Sequence, residues 1–339
     1  MIVIMKPGAS TEQVDHVVRL VREFGLKENV LSGTDRIVIA AIGDKRAVDK
    51  GAIETAPGVE KVMPILSAYK MVSREVKREK TEINIGPSNF PIGGRKVGVI
   101  AGPCAVESRD QILRTADAVK AAGAVGLRGG AYKPRTSPYS FQGLREEGLK
   151  FLDEARDLTG LAVVTEVVGL ESLPIVQQYA DVLQIGARNM QNYPLLEAVG
   201  ESNKPVLLKR GISATLDEWL LAAEYIVNGG NPNVILCERG VRTFEEYVRN
   251  TLPLAVVPEL NERTHLPVIV DPSHGTGHAR LVPAMCRAAV AAGADGLLVE
   301  CHIDPEHAVS DGAQTITPAA LGEVMGQLKR IAQVLGRDL

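Results

Sequence analysis

Six cationic side chains, Arg128, Lys133, Arg135, Arg188, Lys209 and Arg239, stand at or just beyond the ends of short apolar runs in a chain of formal net charge −3. Crowded together they are costly unless anions meet them. A phosphate monoester carries nearly two negative charges near neutral pH, and arginine grips its oxygens bidentately. One phosphate occupies two or three such groups, so the set points to two phosphorylated ligands, or to a phosphate and a carboxylate. The plainer alternative is ion pairing with nearby acids such as Glu166 and Glu238. A second set mixes metal-ligating types: Cys104, His274, Glu300 and Asp311. One thiolate, one imidazole and two carboxylates suit a borderline divalent cation such as Mn²⁺, Fe²⁺, Co²⁺ or Zn²⁺. Taken singly, a cysteine is more often a small buried hydrophobe and a histidine a hydrogen bonder, so only joint placement favours a metal. Cys301, His302, His278 and His307 lie close enough in sequence to compete, whereas Cys237 and Cys286 fall within an apolar strand and a helix and read as core.

The elements that must bring these residues together are visible as apolar runs at 97–100, 125–127, 161–165, 181–185, 205–209, 233–237, 267–271 and 295–299. Amphipathic stretches such as Asp110–Ala122, Leu170–Tyr179, Leu216–Asn228 and Val282–Ala292 separate them. Eight strand and helix units in about 250 residues is the arithmetic of an α/β fold of the (β/α)₈ barrel type. A doubly wound sheet is disfavoured, since neither G-x-G-x-x-G nor G-x-x-x-x-G-K-[ST] occurs. Barrel enzymes place their chemistry where strands end. All eight strand ends here are polar: Gly102-Pro103-Cys104, Arg128, Glu166, Arg188, Lys209-Arg210, Glu238-Arg239, Asp271 to His274, and Glu300. The last two strands become neighbours of the first when a barrel closes, so Cys104, His274 and Glu300 can meet.

Ahead of the barrel, residues 1–66 show the order βαββαβ: a strand at 1–5, a helix capped by Ser10, two strands around Gly33-Thr34-Asp35, a helix at 44–55 and a strand at 59–66. This is the pattern of a small ferredoxin-like domain, with a regulatory ligand site or a mere assembly cap as its two readings. Residues 67–82 carry mixed charge with little apolar periodicity and read as a solvated linker. The expected domains are therefore 1–66, the linker 67–82, and a barrel over 83–339 that opens with a small hairpin at 83–92.

Composition excludes other classes. Hydrophobic residues at 45% supply a core, while a net negative charge and 4% aromatics disfavour a nucleic-acid or acidic-membrane partner. Four dispersed cysteines suggest neither a disulfide framework nor a zinc knuckle and fit a reducing, cytoplasmic setting. No stretch of about 18 apolar residues is present, so neither export nor membrane spanning is expected.

The motifs AGPCAVES (101–108), LRGGAYKPRTSPYSFQG (127–143), QIGARNMQN (184–192), LLKRG (207–211), ILCERGVRTFE (235–245) and VDPSHGTG (270–277) closely resemble those of the 3-deoxy-D-arabino-heptulosonate 7-phosphate (DAHP) synthases. The resemblance is to the type Iβ form, with its N-terminal ferredoxin-like regulatory domain, and spans almost the whole chain. It implies condensation of phosphoenolpyruvate with erythrose 4-phosphate and release of phosphate, the first step of the shikimate pathway. By motif, the metal falls to Cys104, His274, Glu300 and Asp311, and phosphoenolpyruvate to Arg128, Lys133, Arg188, Lys209, Arg239 and the backbone of Ala187. The aldose phosphate falls to Arg135 and Thr136. Catalytic roles go to Lys133 as proton donor and to Cys104 and His274 at the metal; Glu166 is one of two candidates to take a proton from the incoming water, the metal site being the other. The resemblance further implies a homo-oligomer, a tetramer, inhibited by Tyr or Phe, although residues 28–33 lack a histidine and leave the effector's identity open. Two alternatives remain. One is 3-deoxy-D-manno-octulosonate 8-phosphate synthase, whose relatives carry K-A-N-R-[ST]-S in place of residues 133–137 and lack the N-terminal domain. The other is a non-catalytic sensor of aromatic amino acids.

Overall fold

The computed structural model describes residues 1–32, 36–43, 48–63, 68–133 and 139–339. It divides into two compact units, Met1–Lys80 with Glu262–His265, and Thr81–Asn261 with Leu266–Leu339.

In the first unit, strands β1 (Ile2–Met5), β2 (Lys27–Ser32), β3 (Ile37–Ile42) and β4 (Val59–Met63) form an antiparallel sheet in the order β2-β3-β1-β4. Helix α1 (Thr11–Glu23) starts where the Ser10 hydroxyl accepts from the Gln13 N–H and the Gln13 side chain returns the favour to the Ser10 N–H. It buries Val14, Val17 and Val21 against Val3, Met5, Ile39 and Ala41. The i, i+3, i+7 spacing of those valines gives the helix its single apolar stripe. Helix α2 (Lys50–Glu54) is shorter than the 44–55 expected, because the Asp49 carboxylate caps it by accepting from the Gly51 and Ala52 N–H groups. Residues 44–47, 64–66 and the turn 33–35 lie outside the described residues. The βαββαβ order is otherwise as the sequence indicates.

The expectation of a solvated linker at 67–82 is corrected. Tyr69, Met71, Val72 and Val76 are buried, and Val76 packs with Ile2 and Ala40 on the sheet face opposite the helices. The segment is fixed by backbone bonds: the Arg74 N–H donates to the Arg263 carbonyl, and the Met71 carbonyl lies 2.7 Å from His265 Nε2. This stretch therefore packs on the sheet face that the helices leave open. Tyr69, Val72 and Val76 stand at i, i+3 and i+7, but the spacing is not sustained beyond them, so the lysines, arginines and glutamates of the segment dominate any sequence reading.

The second unit is a closed barrel of eight parallel strands: β7 (Gly98–Gly102), β8 (Gly126–Arg128), β9 (Ala162–Glu166), β10 (Val182–Ile185), β11 (Val206–Lys209), β12 (Val234–Glu238), β13 (Val268–Val270) and β14 (Gly296–Glu300). Strand β14 pairs with β7, so the chain's last strand closes on its first. All eight apolar runs are strands. Leu216–Asn228 is the helix expected, while the third barrel helix begins at Leu173 instead of 170, with Pro174 in its first turn. A hairpin of β5 (Ile83–Ile85) and β6 (Phe90–Ile92) sends Ile83, Ile85 and Ile92 into the barrel core beside Ile100, Leu207 and Ile269. Gly86, at φ 63°, turns this hairpin so close to the start of β9 that a Cβ would lie 2.4 Å from that of Ala162. The hairpin thus plugs the end opposite the polar strand ends and leaves the other end open. At that open end β7 approaches β8 so tightly that a Cβ on Gly102 (φ 153°) would stand 2.1 Å from the Arg128 carbonyl oxygen. No helix among the described residues is long and apolar enough to cross a membrane.

Candidate active site and metal centre

The strand ends surround a cavity of about 560 Å³ lined by Arg128, Lys133, Glu166, Ala187, Arg188, Lys209, Arg239, His274 and Asp311, with Arg242, Arg249 and Asn250 from the segment after β12. Five of the six expected cations therefore meet at one mouth. Arg135 and Thr136 lie outside the described residues.

The buried cations are held by acids, though not by the two that sequence suggested. Arg128 Nη1 donates to Glu300 Oε1 at 2.9 Å, and Lys209 Nζ to Asp271 Oδ2 at 2.6 Å, all four side chains being buried. Glu238 is spent on Arg210, 2.8 Å away, and Glu166 on the amide of Gln184 at 3.3 Å. Gly186 lets Glu166 stand at the cavity wall, since a Cβ there would meet Glu166 Oε1 at 2.1 Å. Charge remains uncompensated. Arg239 is 6% exposed and makes no ion pair among the described residues, and burial lowers its pKa despite the pull of Asp271. Arg128 Nε is buried without a hydrogen-bond partner. Arg188 is exposed and makes no ion pair among the described residues, at a 3₁₀ turn (Ala187–Asn189) whose leading N–H groups have no intrahelical partner. A buried unpaired donor costs roughly 1–3 kcal/mol; an anion in the cavity removes that cost.

Beside this anion-ready wall, ligand atoms of Cys104, Glu300 and Asp311 lie within 4.8 Å of one another. Cys104 Sγ is 3.1 Å from Asp311 Oδ2, and His274 Nε2 is 3.6 Å from Glu300 Oε1. Ligands about 2.0–2.3 Å from one ion stand about 3–4 Å apart, so the residues present fit a divalent cation. Burial, with Glu300 close by, pushes the Cys104 thiol up to about 11. It is a neutral thiol until a cation replaces its proton. Burial also lowers the His274 pKa against the pull of Asp271, which favours the neutral imidazole that a metal ligand requires. Its Nδ1 lies 2.7 Å from Asp271 Oδ2, off the direction of a hydrogen bond. Burial by itself would raise the pKa of Asp271, but His274 and Lys209 hold it well below the usual carboxylate range. Glu300 is likewise lowered, by His274 and Arg128 against its burial. Asp311 adopts the left-handed backbone conformation (φ 56°, ψ 26°), which costs a non-glycine residue about 1 kcal/mol. That cost places its carboxylate at the thiol. Lys133 Nζ donates to both the carbonyl oxygen and Sγ of Cys104, each at 2.9 Å.

Several site residues escape a reading of the sequence. Asp271, which orders both Lys209 and His274, sits in the motif at 270–277 but shows no sign of its partners. Arg242 and Arg249 lie beyond the end of β12, in a stretch with no periodic pattern, and they are folded back over the mouth by the bridge between Val241 and Thr251 and by backbone bonds such as those from the Arg242 N–H to the Ile212 carbonyl and the Arg249 N–H to the Thr276 carbonyl.

Comparison with known proteins agrees with this geometry. The DAHP synthetase I family matches residues 77–335, and the DAHP synthase ferredoxin-like domain matches residues 1–67. The chain is 49% identical over 336 residues to the phospho-2-dehydro-3-deoxyheptonate aldolase of Thermotoga maritima, covering 99% of each chain. A crystal structure of that organism's enzyme superposes with a TM-score of 0.79 over 99% of this chain and 98% of its own. Its truncated form, 47% identical, superposes with a TM-score of 0.74 over 80% of this chain and 98% of its own. The 2-dehydro-3-deoxyphosphooctonate aldolase of Bradyrhizobium sp. is more distant, at 36% identity over 69% of this chain and 87% of its own. Fold and sequence agree, and the chain belongs to the DAHP synthetase I family.

Proposed function

We propose that the chain condenses phosphoenolpyruvate with erythrose 4-phosphate and water to give DAHP and inorganic phosphate, the entry step to aromatic amino acid synthesis. The observation that carries this reading is the juxtaposition of the uncompensated cations Arg188 and Arg239, the unpartnered Nε of Arg128 and Lys133 in one cavity with the Cys104–Glu300–Asp311 cluster at its edge. Arg128, Arg188, Lys209 and Arg239 bind the enol's phosphate and carboxylate and fix the face it presents; the Ala187 N–H completes that grip and the positive charge of Lys133 adds to it. They also stabilise the charge that gathers on the departing phosphate. A divalent ion held by Cys104, His274, Glu300 and Asp311, of the Mn²⁺, Fe²⁺, Co²⁺ or Zn²⁺ class, supplies Lewis acidity toward the aldehyde. Lys133, with two of its three donors on Cys104, has one left to protonate the aldehyde oxygen as the carbon–carbon bond forms. Glu166 is placed at the cavity wall to take a proton from the water that adds at carbon 2 of the enol. Arg135 and Thr136 would hold the aldose phosphate. In a turnover assay erythrose 4-phosphate is expected to exceed arabinose 5-phosphate in kcat/KM by about 10²-fold, the scale on which a pocket discriminates between substrates that differ by one carbon unit. Equal use of both aldoses would return the chain to the octulosonate alternative.

None of the described residues among the first 66 lines this cavity. We assign them, with the chain as a homotetramer in the cytoplasm, to feedback control by tyrosine or phenylalanine, since a domain without catalytic groups can alter the rate only through contacts that differ between two states. A chain beginning at Glu82, comparable to the relative solved in truncated form, is expected to keep most of its activity and to lose inhibition by these amino acids. Equal inhibition of both forms would place the effector on the barrel. No inhibition of either would make the domain an assembly cap.

A further inference from the structure

The segment Arg249–Asn250 touches the supports of three of the four metal-ligating residues. Asn250 Nδ2 donates to the His274 carbonyl at 2.8 Å, and the Arg249 and Asn250 N–H groups donate to the carbonyls of Thr276 and Gly275. Arg249 Nη1 reaches Asp311 Oδ1 at 3.3 Å and Gln314 Oε1 at 2.8 Å. Gln314, 2% exposed, donates from Nε2 to Glu300 Oε2 at 2.6 Å. The amide has only one workable orientation, because a guanidinium can only donate and an ionised carboxylate can only accept. Gln314 is therefore a polarised relay between Arg249 and Glu300. It occupies one Glu300 oxygen, while the other faces Arg128 and His274.

We propose that Gln314, oriented by Arg249, is a positioning residue that sets the Glu300 carboxylate for metal binding. This rests on reading Cys104, His274, Glu300 and Asp311 as the metal site. Without the amide, Glu300 Oε2 loses its 2.6 Å donor, and the carboxylate is free to turn both oxygens toward Arg128. Partners that orient a ligand from behind typically contribute 10–100-fold to metal affinity. Arg249 acts mainly through Gln314, since its own side chain is 40% exposed and solvent screens its direct pairing with Asp311.

The test is a Co²⁺ titration of the full chain, read by the thiolate-to-metal absorption that Cys104 would give. Gln314→Met, which keeps the shape and removes the amide, is expected to weaken Co²⁺ binding by about 10–100-fold. Arg249→Met is expected to weaken it by a few-fold alone and to add almost nothing in the Gln314→Met background, because the relay is serial. A merely loosened fold would instead give additive losses. Should Gln314→Met fail to fold, Gln314→Asn carries the same expectation, since it keeps an amide too short to span both partners. Co²⁺ affinity of a folded Gln314 variant within twofold of the unsubstituted chain, or additive effects, would overturn the proposal. Absence of the thiolate absorption in the unsubstituted chain would overturn the metal site as well, and so separates the two failures.

Discussion

Cys104→Ala is expected to bring turnover down to background and to weaken Mn²⁺ or Co²⁺ binding by at least about 10³-fold, while the protein stays folded. The asymmetry follows from what the thiol does in the structure. It is 3% exposed and sits between Asp311, Ser310 and Lys133, so it is the only soft donor in a cluster otherwise made of oxygen and nitrogen. Its burial-raised pKa of about 11 means that without a cation it remains a neutral thiol, contributing packing and weak hydrogen bonds with Asp311, Ser310 and Lys133. Truncating it to alanine removes one small buried group, about 1 kcal/mol or little more, which is a few degrees or less in the unfolding temperature of a domain this size. Elemental analysis after dialysis, a melting curve and a turnover assay on the same preparation check all three parts. Retention of stoichiometric metal by the alanine variant would move the centre away from Cys104.

Lys133→Met is expected to separate chemistry from metal binding, lowering kcat by about 10³-fold while Co²⁺ affinity changes by less than about tenfold. Lys133 bonds to the Cys104 carbonyl and thiol, which fixes the ammonium at the boundary between the cluster and the anion-binding wall. Removing its charge has opposing effects on a bound cation: it lessens repulsion, and it makes the thiol harder to deprotonate. These partly cancel. The proton that must reach the aldehyde oxygen has no comparable replacement, because Arg128 and Lys209 are tied to buried acids. A variant with kcat within threefold of the unsubstituted chain would assign the proton transfer elsewhere.

What could be read from sequence follows the physics of each element. The eight barrel strands are buried on both faces, so they appear as uninterrupted apolar runs, and the polar residue that ends each run marks the mouth. That is why Arg128, Lys209, Arg239 and Glu300 could be placed together before any coordinates. Helix α1 was legible from its valine spacing and Ser10. The failures share a different cause. Residues 68–80 bury Val72 and Val76 through turns, without a sustained period, and their charge suggested a solvated strand of chain. The choice of ion-pair partners was equally illegible: Glu300 for Arg128 and Asp271 for Lys209 depend on which side chains face inward from alternate strands of the barrel, 172 and 62 residues away. The relay through Arg249 and Gln314 depends on a turn that folds back over the mouth, and polar loop sequence carries no such information.

The central claim is that one mouth joins an enol phosphate to an aldose phosphate, with the enol's own phosphate leaving. Its most direct measurement is the release of inorganic phosphate by the metal-loaded full chain in ¹⁸O-labelled water, with phosphoenolpyruvate and erythrose 4-phosphate supplied singly and together. The account predicts release only when both are present, one phosphate for each seven-carbon product formed, and no ¹⁸O in that phosphate, because water adds to carbon and the carbon–oxygen bond breaks. Release from phosphoenolpyruvate alone, or ¹⁸O appearing in the phosphate, would show simple phosphate-ester hydrolysis and contradict it.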